Sequence, residues 1–140
     1  MQRVSFVDHT ADVRMIIEAA SLDDLFRAAA EAMLGYIITN PEQILPRGSE
    51  TIQIQADSLS ELLVRWLNEL IFLIETKHTV YRSFQVQINE KTLELSAQVQ
   101  GEPLDPARHQ VDHEIKAVTR HEAEVSSTPT GWFAQVILDI

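Results

Sequence analysis

Two spacings of apolar residues divide the first half of the chain into strands and helices. Apolar residues at about every second position predict strands over residues 3–7 and 51–56. The β-branched residues Val13, Ile16 and Ile17 predict a strand over 13–18, although Met15 interrupts the alternation there. Apolar residues three and four positions apart predict helices from 22 to about 35 and from 59 to about 76. Ser21 precedes the first helical pattern, and Ser58 or Ser60 precedes the second. Their hydroxyl groups can cap the free backbone N–H groups of a helix start.

The second half of the chain has strand patterns only. Alternation predicts a hairpin of residues 84–88 and 93–99 around a turn at 89–91, and two further strands at 114–121 and 132–140, joined through 126–131. The element order β-β-α-β-α-β-β-β-β predicts an α+β fold. We expect a two-layer α/β sandwich in which a mostly antiparallel or mixed sheet carries the two main helices on one face. The length and the lack of a linker predict one domain, residues 1–140.

The charge balance narrows the classes of function. The chain has 11 Lys and Arg against 21 Asp and Glu, a net charge of −10. This charge argues against direct, phosphate-led binding of nucleic acid and against docking on an anionic membrane. It is compatible with binding to a basic protein partner or to a cation. The absence of cysteine excludes disulfides, thiolate metal sites and cysteine nucleophiles. Without a signal sequence or an apolar run of membrane length, we expect a cytoplasmic protein.

Carboxylates at the two ends of the chain form the first candidate site. Asp8 and Asp12 flank a short polar connection, and Asp139 precedes Ile140, which carries the terminal α-carboxylate. If the last strand pairs beside the first two, these oxygens converge and suit a hard cation such as Ca²⁺, Mg²⁺ or Mn²⁺. Spacing alone favours the alternative, in which the first two aspartates accept local N–H bonds in a turn and the third is a solvated end.

Histidines form a second candidate set. His109, His113 and His121 lie close in sequence, with His9 far from them, and neutral imidazoles could bind a transition metal or exchange protons. No metal-binding motif such as HExxH surrounds them, which favours hydrogen-bonded structural histidines. Trp66 lies on the apolar side of the second helix, where core packing is a better interpretation than a groove for a partner.

Several short motifs, in their order and spacing, resemble the archease family from about residue 6 to residue 140. These are HTAD at 9–12 before a strand, SLDDLF at 21–26, WLNEL at 66–70, GE at 101–102 with Asp105 and His109, EIKAVT at 114–119 followed by His121, and the final Asp139-Ile140. One position departs from the family pattern. Arg120 stands where the family usually has a tyrosine before the histidine, so contact chemistry differs there if this position touches a partner.

The resemblance implies a helper protein rather than an enzyme. Archeases assist the RtcB-type RNA ligase of tRNA splicing and RNA repair by promoting its guanylation and its repeated turnover. The resemblance also implies a cation site at Asp12 and Asp139, for which we expect Ca²⁺ first and Mg²⁺ or Mn²⁺ as alternatives. Ile140 and Asp8 are further candidate ligands. The partner-contact candidates are His9, Glu114, Lys116, Arg120 and His121.

The acidic charge fits this expectation because an acidic helper can approach a basic, RNA-binding enzyme by electrostatic steering. We expect a monomer that binds neither nucleic acid nor membranes directly. The alternative is a small metal-dependent hydrolase that uses the same aspartates with His9 or His121 as general base. A chaperone-like binding module ranks last, because it needs an exposed apolar patch and the sequence shows no long one.

Overall fold

The computed structural model describes residues 2–8 and 12–140 of the chain, with only the backbone at positions 7 and 8. Seven β-strands and two α-helices make up the fold, with a short 3₁₀ helix after the first α-helix. In chain order the elements are β1 (Arg3–Asp8), β2 (Asp12–Ala19), α1 (Leu22–Ile37), the 3₁₀ helix (Pro41–Gln43), β3 (Gly48–Gln55), α2 (Leu59–Lys77), β4 (Thr79–Asn89), β5 (Glu94–Pro103), β6 (Ala117–Thr128) and β7 (Gly131–Asp139).

Both helices begin where a serine side chain caps them. The Oγ of Ser21 accepts the N–H of Asp24 at 3.2 Å, and the Oγ of Ser58 accepts the N–H of Glu61 at 3.1 Å. The second bond identifies Ser58 as the cap of α2. These two hydrogen bonds confirm the predicted helix starts. The starts could be predicted from the sequence because capping depends on residues only three positions apart.

The strands form two antiparallel sheets. One sheet has the order β1-β2-β7-β6, and the other has the order β3-β5-β4. The predicted α+β class with two main helices is confirmed, but the strands are divided between two sheets where the pattern indicated one. The division is set by pairing between distant segments, which alternation within one strand does not report.

Several strand limits differ from the predicted ones. Strand β5 runs to Pro103, four residues beyond the predicted limit at residue 99. Residues 114–116 precede β6, which instead continues to Thr128. Irregular register explains part of the difference: β4 has a bulge between Tyr81 and Ser83, and β6 has one between Thr119 and Glu124. A bulge shifts the alternation of inward and outward side chains and so hides the continuity of the strand.

The helices pack against both sheets. Helix α1 contacts β2 and β4, and α2 contacts mainly β6. Trp66 on α2 is wholly buried, its indole N–H donates to the carbonyl of Phe26 at 3.0 Å, and its ring meets Phe84 edge to face. The prediction that Trp66 belongs to the core is therefore confirmed. Within the described ranges, no helix is both long and apolar enough to cross a membrane.

Candidate functional site

Asp12 and Asp139 face each other across two adjacent strands. Asp12 is the first residue of β2 and Asp139 is the last residue of β7, and the two strands pair antiparallel with these residues as direct partners. Directly opposed residues of such a pair have Cβ atoms about 4.5–5.5 Å apart, with both side chains on the same face of the sheet. The two ends of the chain thus meet at one end of the four-stranded sheet.

The strand that carries Asp139 is held from its other side as well. Ala117, the first residue of β6, is the second register partner of Asp139. The N–H of Lys116 donates to the carbonyl of Asp139 at 2.8 Å. The backbone beneath this carboxylate is therefore fixed by strands on both sides.

Asn68 of α2 closes the free edge of β6 beside this position. Its Oδ1 accepts the N–H of Val118 at 2.8 Å, and its Nδ2 donates to the carbonyl of the same residue at 2.9 Å. The side-chain amide thus takes the place that a neighbouring strand would occupy, and it leaves no unpaired backbone group there. Sequence reasoning noted Asn68 only as part of the WLNEL motif and did not predict this role.

Among residues 2–8 and 12–140, no lysine or arginine pairs with either of the two facing carboxylates. Neither Asp12 nor Asp139 makes an ion pair or a side-chain hydrogen bond with any other residue the structure describes. Like charges directly opposite each other destabilise a strand pair, so we expect repulsion between the two carboxylates at this end of the sheet. Carboxylate oxygens are the ligands that Ca²⁺ and Mg²⁺ prefer.

Two side-chain carboxylates are fewer than a metal ion needs. No group of three or more His, Asp or Glu side chains within 2–8 and 12–140 is placed to hold a metal. Ca²⁺ takes about 6–8 oxygen ligands, so water, backbone oxygens or a partner would supply the others. Asp8 pairs with Val13 through its backbone, and Ile140 directly follows Asp139 and packs partly buried against the core. The side chain of Asp8 and the whole of His9 lie outside the described residues.

A bulge of β6 reaches over the face of the sheet that carries these aspartates. Arg14 lies two residues after Asp12 and therefore on the same face. Its guanidinium lies 3.2 Å from Oε2 of Glu122, which stands in the bulge with a φ of 57°. The same oxygen of Glu122 lies 3.5 Å from Nε2 of the exposed His121. The bulge thereby presents His121 on the surface.

The other predicted contact residues are also at the surface. Arg120 is 70% exposed and its guanidinium lies 2.7 Å from Oε1 of Glu61. Glu114 and Lys116 are exposed, and their side chains make no ion pair with the described part of the chain. These positions are accessible to a partner, while contact with one stays a prediction.

The histidines that the structure describes do not gather into a site. His109 is buried, its Nδ1 accepts the N–H of Asp105 at 2.9 Å, and its Nε2 lies 2.9 Å from Oε2 of Glu102. His113 instead stacks on Tyr36, with ring centroids 4.2 Å apart. The hydrogen bonds of His109 support the structural interpretation favoured for this set.

Glu102 is a buried carboxylate that the sequence analysis noted only as part of a motif, without a role. It also accepts the N–H of Leu45 at 2.8 Å and pairs with Arg108 at 2.5 Å and Arg47 at 3.5 Å. Burial opposes its ionisation, but the bonds from Leu45, Arg108 and His109 and the charge of Arg108 outweigh that effect. They lower the pKa of Glu102 from 4.5 to about 2. The carboxylate therefore joins the loop after β5 to the segment before β3.

Gly101 lets the strands approach closely next to this carboxylate. A Cβ atom at this position would lie 1.8 Å from the carbonyl oxygen of Val80 on β4, so only glycine fits. A Gly-Glu pair followed by Asp105, Arg108 and His109 was the available sequence signal.

The similarities to known proteins extend over nearly the whole chain. A model of the Archease protein family matches residues 5–140. The chain is 33% identical over 143 residues to "Protein archease" of Pyrococcus abyssi, covering 100% of both. It is 37% identical over 142 residues to "Protein archease" of Methanosarcina barkeri, covering 99% of this chain and 97% of that relative. Its fold is similar to the solution structure of Methanobacterium thermoautotrophicum protein 1598, with a TM-score of 0.83, 29% identity and 98% of each chain covered. The chain therefore belongs to the Archease protein family.

Proposed function

We propose that this chain is a non-enzymatic protein cofactor of an RtcB-type RNA ligase in tRNA splicing and RNA repair. It promotes guanylation and repeated turnover of the ligase through a divalent cation held by Asp12 and Asp139. The single observation that carries the proposal is the direct opposition of these two aspartates across β2 and β7. Membership of the Archease protein family supports the choice of partner.

The chemistry of the two side chains favours a hard cation. A divalent ion would remove the repulsion between Asp12 and Asp139, and oxygen-only ligands suit Ca²⁺, with Mg²⁺ or Mn²⁺ as alternatives. Ile140 and Asp8 are proposed as further ligands because the first follows Asp139 and the second lies near Asp12 in sequence. An incomplete set of protein ligands leaves coordination positions for water or for a group of the ligase.

The protein's own residues bring it to the ligase and orient it there. The net charge of −10 favours approach to a basic, RNA-binding enzyme, and it disfavours direct binding of RNA or of an anionic membrane. Glu114, Lys116, Arg120 and His121 are exposed on or just before β6 and are proposed contacts, together with His9. A helper shifts the ligase between two states only if it binds one of them more tightly. We propose that it binds the state that accepts the guanylyl group.

A multiple-turnover ligation assay tests the proposal. The RtcB-type ligase of the same organism, well below the RNA concentration, is assayed alone and with the wild-type chain, Asp12→Ala or Asp139→Ala. Asp57→Ala is the matched control, because Asp57 is exposed and has no partner among the described residues. We expect the wild type and the control to stimulate ligation. With either site variant, we expect the ligase to work at the same rate as it does alone.

Full stimulation by either site variant, with its fold intact by circular dichroism, would contradict the proposed role of the pair. A parallel incubation of the chain with Mn²⁺ and phosphoester substrates, without ligase, addresses catalysis. Turnover there would instead favour the metal-dependent hydrolase. No contact of the described residues favours that alternative, because the nearest ionisable partner of His121 is Glu122 rather than either aspartate.

A further inference from the structure

An apolar cavity opens at the end of the two helices. It has a volume of about 370 Å³ and lies between the last turns of α1 and α2 and the segments around residues 104 and 111–115. Its walls are aliphatic, with side chains from Ile37, Ile71, Ile74, Val80, Leu104 and Ile115. This volume lies in the range of cavities that admit small ligands, about 300–1,000 Å³. One or two aliphatic side chains of another molecule can therefore enter.

The rim of the cavity carries negative charge. Glu75 of α2 and Glu114 line the cavity together with His78 and His113, and no lysine or arginine is among the described residues that line it. Both carboxylates are exposed, and neither forms an ion pair within the described part of the chain. Val111, also at the rim, is 53% exposed. An occupant that matches this surface combines an aliphatic body with a positive charge.

The cavity lies next to the end of the sheet that carries the aspartates. Ile115 forms part of its wall, and the next residue, Lys116, donates its N–H to the carbonyl of Asp139. The ring of His113, at the rim, stacks on Tyr36, which in turn stacks on Phe6 of β1. A protein that binds at the aspartates therefore comes within reach of this opening.

We propose that the cavity receives an aliphatic side chain from a basic segment of the partner protein, whose lysine or arginine residues pair with Glu75 and Glu114. The identity of that partner as the ligase rests on the proposed function. A second copy of this chain is a poor occupant because each copy carries a net charge of −10. An anionic ligand would be repelled by both rim carboxylates.

The first experiment needs no ligase. Hexylammonium and hexanoate share a short alkyl chain and differ in the sign of their charge, and each is titrated into the wild-type protein with methyl groups observed by NMR. We expect hexylammonium to shift the Val111 and Ile115 methyl signals and hexanoate to shift them far less. Equal shifts by both ions, or none by either, would contradict the proposed selectivity of the rim.

The second experiment measures binding of the chain to the RtcB-type ligase of the same organism. Glu75→Lys reverses a rim charge in the last turn of α2, where a lysine favours the helix dipole and the fold is retained. Val111→Ser removes an exposed apolar group at the rim. Glu90→Lys makes the same change in net charge in the turn after β4, away from the cavity. We expect Glu75→Lys to weaken binding at least about tenfold more than Glu90→Lys, and Val111→Ser to weaken it about threefold.

The outcomes separate this inference from the proposed function. If the wild type binds and Glu75→Lys behaves like Glu90→Lys, the cavity is not part of the interface although the partner is correct. If the wild type does not bind the ligase, the proposed function fails, and the assigned occupant fails with it.

Discussion

The imidazole of His109 and the carboxylate of Glu102 are joined inside the protein, with Nε2 2.9 Å from Oε2. The other ring nitrogen, Nδ1, accepts the N–H of Asp105, so the neutral ring carries its proton on Nε2 and donates it to Glu102. The carboxylate also accepts the N–H of Leu45. The pair thus links the loop after β5 to the chain before β3.

This linkage predicts a loss of stability in acid. The pKa of Glu102 is about 2 in the folded protein, below its ordinary value of 4.5. The ionised carboxylate therefore stabilises the fold fully above pH 4.5, and that stabilisation is lost as the pH falls towards 2. Because Glu102→Gln cannot ionise, we expect it to have a lower Tm than the wild type at pH 7, and the two Tm values to converge in acid.

Thermal unfolding followed by circular dichroism from pH 7 to pH 2 measures this difference. Every other carboxylate is present in both proteins, so the gap between the two curves reports Glu102. A constant gap over the whole range would show that the charge of Glu102 does not stabilise the fold.

Removal of the Asn68 amide should destabilise the protein. Asn68→Leu leaves the N–H and the carbonyl of Val118 without their partner at the edge of β6. We expect the free energy of unfolding in urea to fall by about 2 kcal/mol. Gln98→Leu is the control, because Gln98 is an exposed amide on β5 and its loss should cost less than about 0.5 kcal/mol. Equal effects of the two substitutions would contradict the role given to Asn68.

Local signals predicted the helices, and long-range contacts account for what the sequence did not reveal. Ser21 and Asp24 are three residues apart, so their bond can be predicted from a short segment. Asn68 and Val118 are 50 residues apart, and Leu45 and Glu102 are 57 apart. Their pairing depends on how the sheets and helices assemble, which periodicity along one segment does not encode.

The meeting of Asp12 and Asp139 was neither predictable from one short segment nor wholly hidden in the sequence. The sequence predicted Asp12 just before one strand and Asp139 near the end of another, and their meeting was conditional on the pairing of those strands. The register of β2 and β7 provides that pairing. The presence of a cation between them stays a prediction, because ligand binding depends on chemistry that strand pairing alone does not determine.

Arg120→Tyr introduces the residue that the resemblance leads us to expect at this position, and it should leave the fold unchanged. Arg120 is 70% exposed, and its partner Glu61 also lies 3.1 Å from Arg65, so the carboxylate keeps a positive neighbour. We expect the free energy of unfolding to change by less than about 0.5 kcal/mol, because exposed ion pairs contribute little. A loss well above about 1 kcal/mol in urea unfolding would show that Arg120 supports the fold rather than remaining available to a partner.

Neutralising one of the facing carboxylates should stabilise the protein when no divalent cation is present. Asp139→Asn removes the repulsion with Asp12 across the strand pair, so we expect its Tm in chelator to rise above that of the wild type. Added Ca²⁺ should then raise the Tm of the wild type and not that of the variant. A variant that is less stable in chelator, or is equally stabilised by Ca²⁺, would contradict the repulsion between the two side chains.

Calorimetric titration of Ca²⁺ into the wild type, Asp12→Asn, Asp139→Asn and Asp57→Asn measures the proposed cation site directly, with Mg²⁺ and Mn²⁺ titrated in parallel. We predict saturable binding of a divalent ion by the wild type and the Asp57 variant, and at least about tenfold weaker binding when either facing aspartate is changed. Absence of saturable binding by the wild type, or unchanged affinity in both facing-aspartate variants, would contradict the proposal that Asp12 and Asp139 hold a divalent cation.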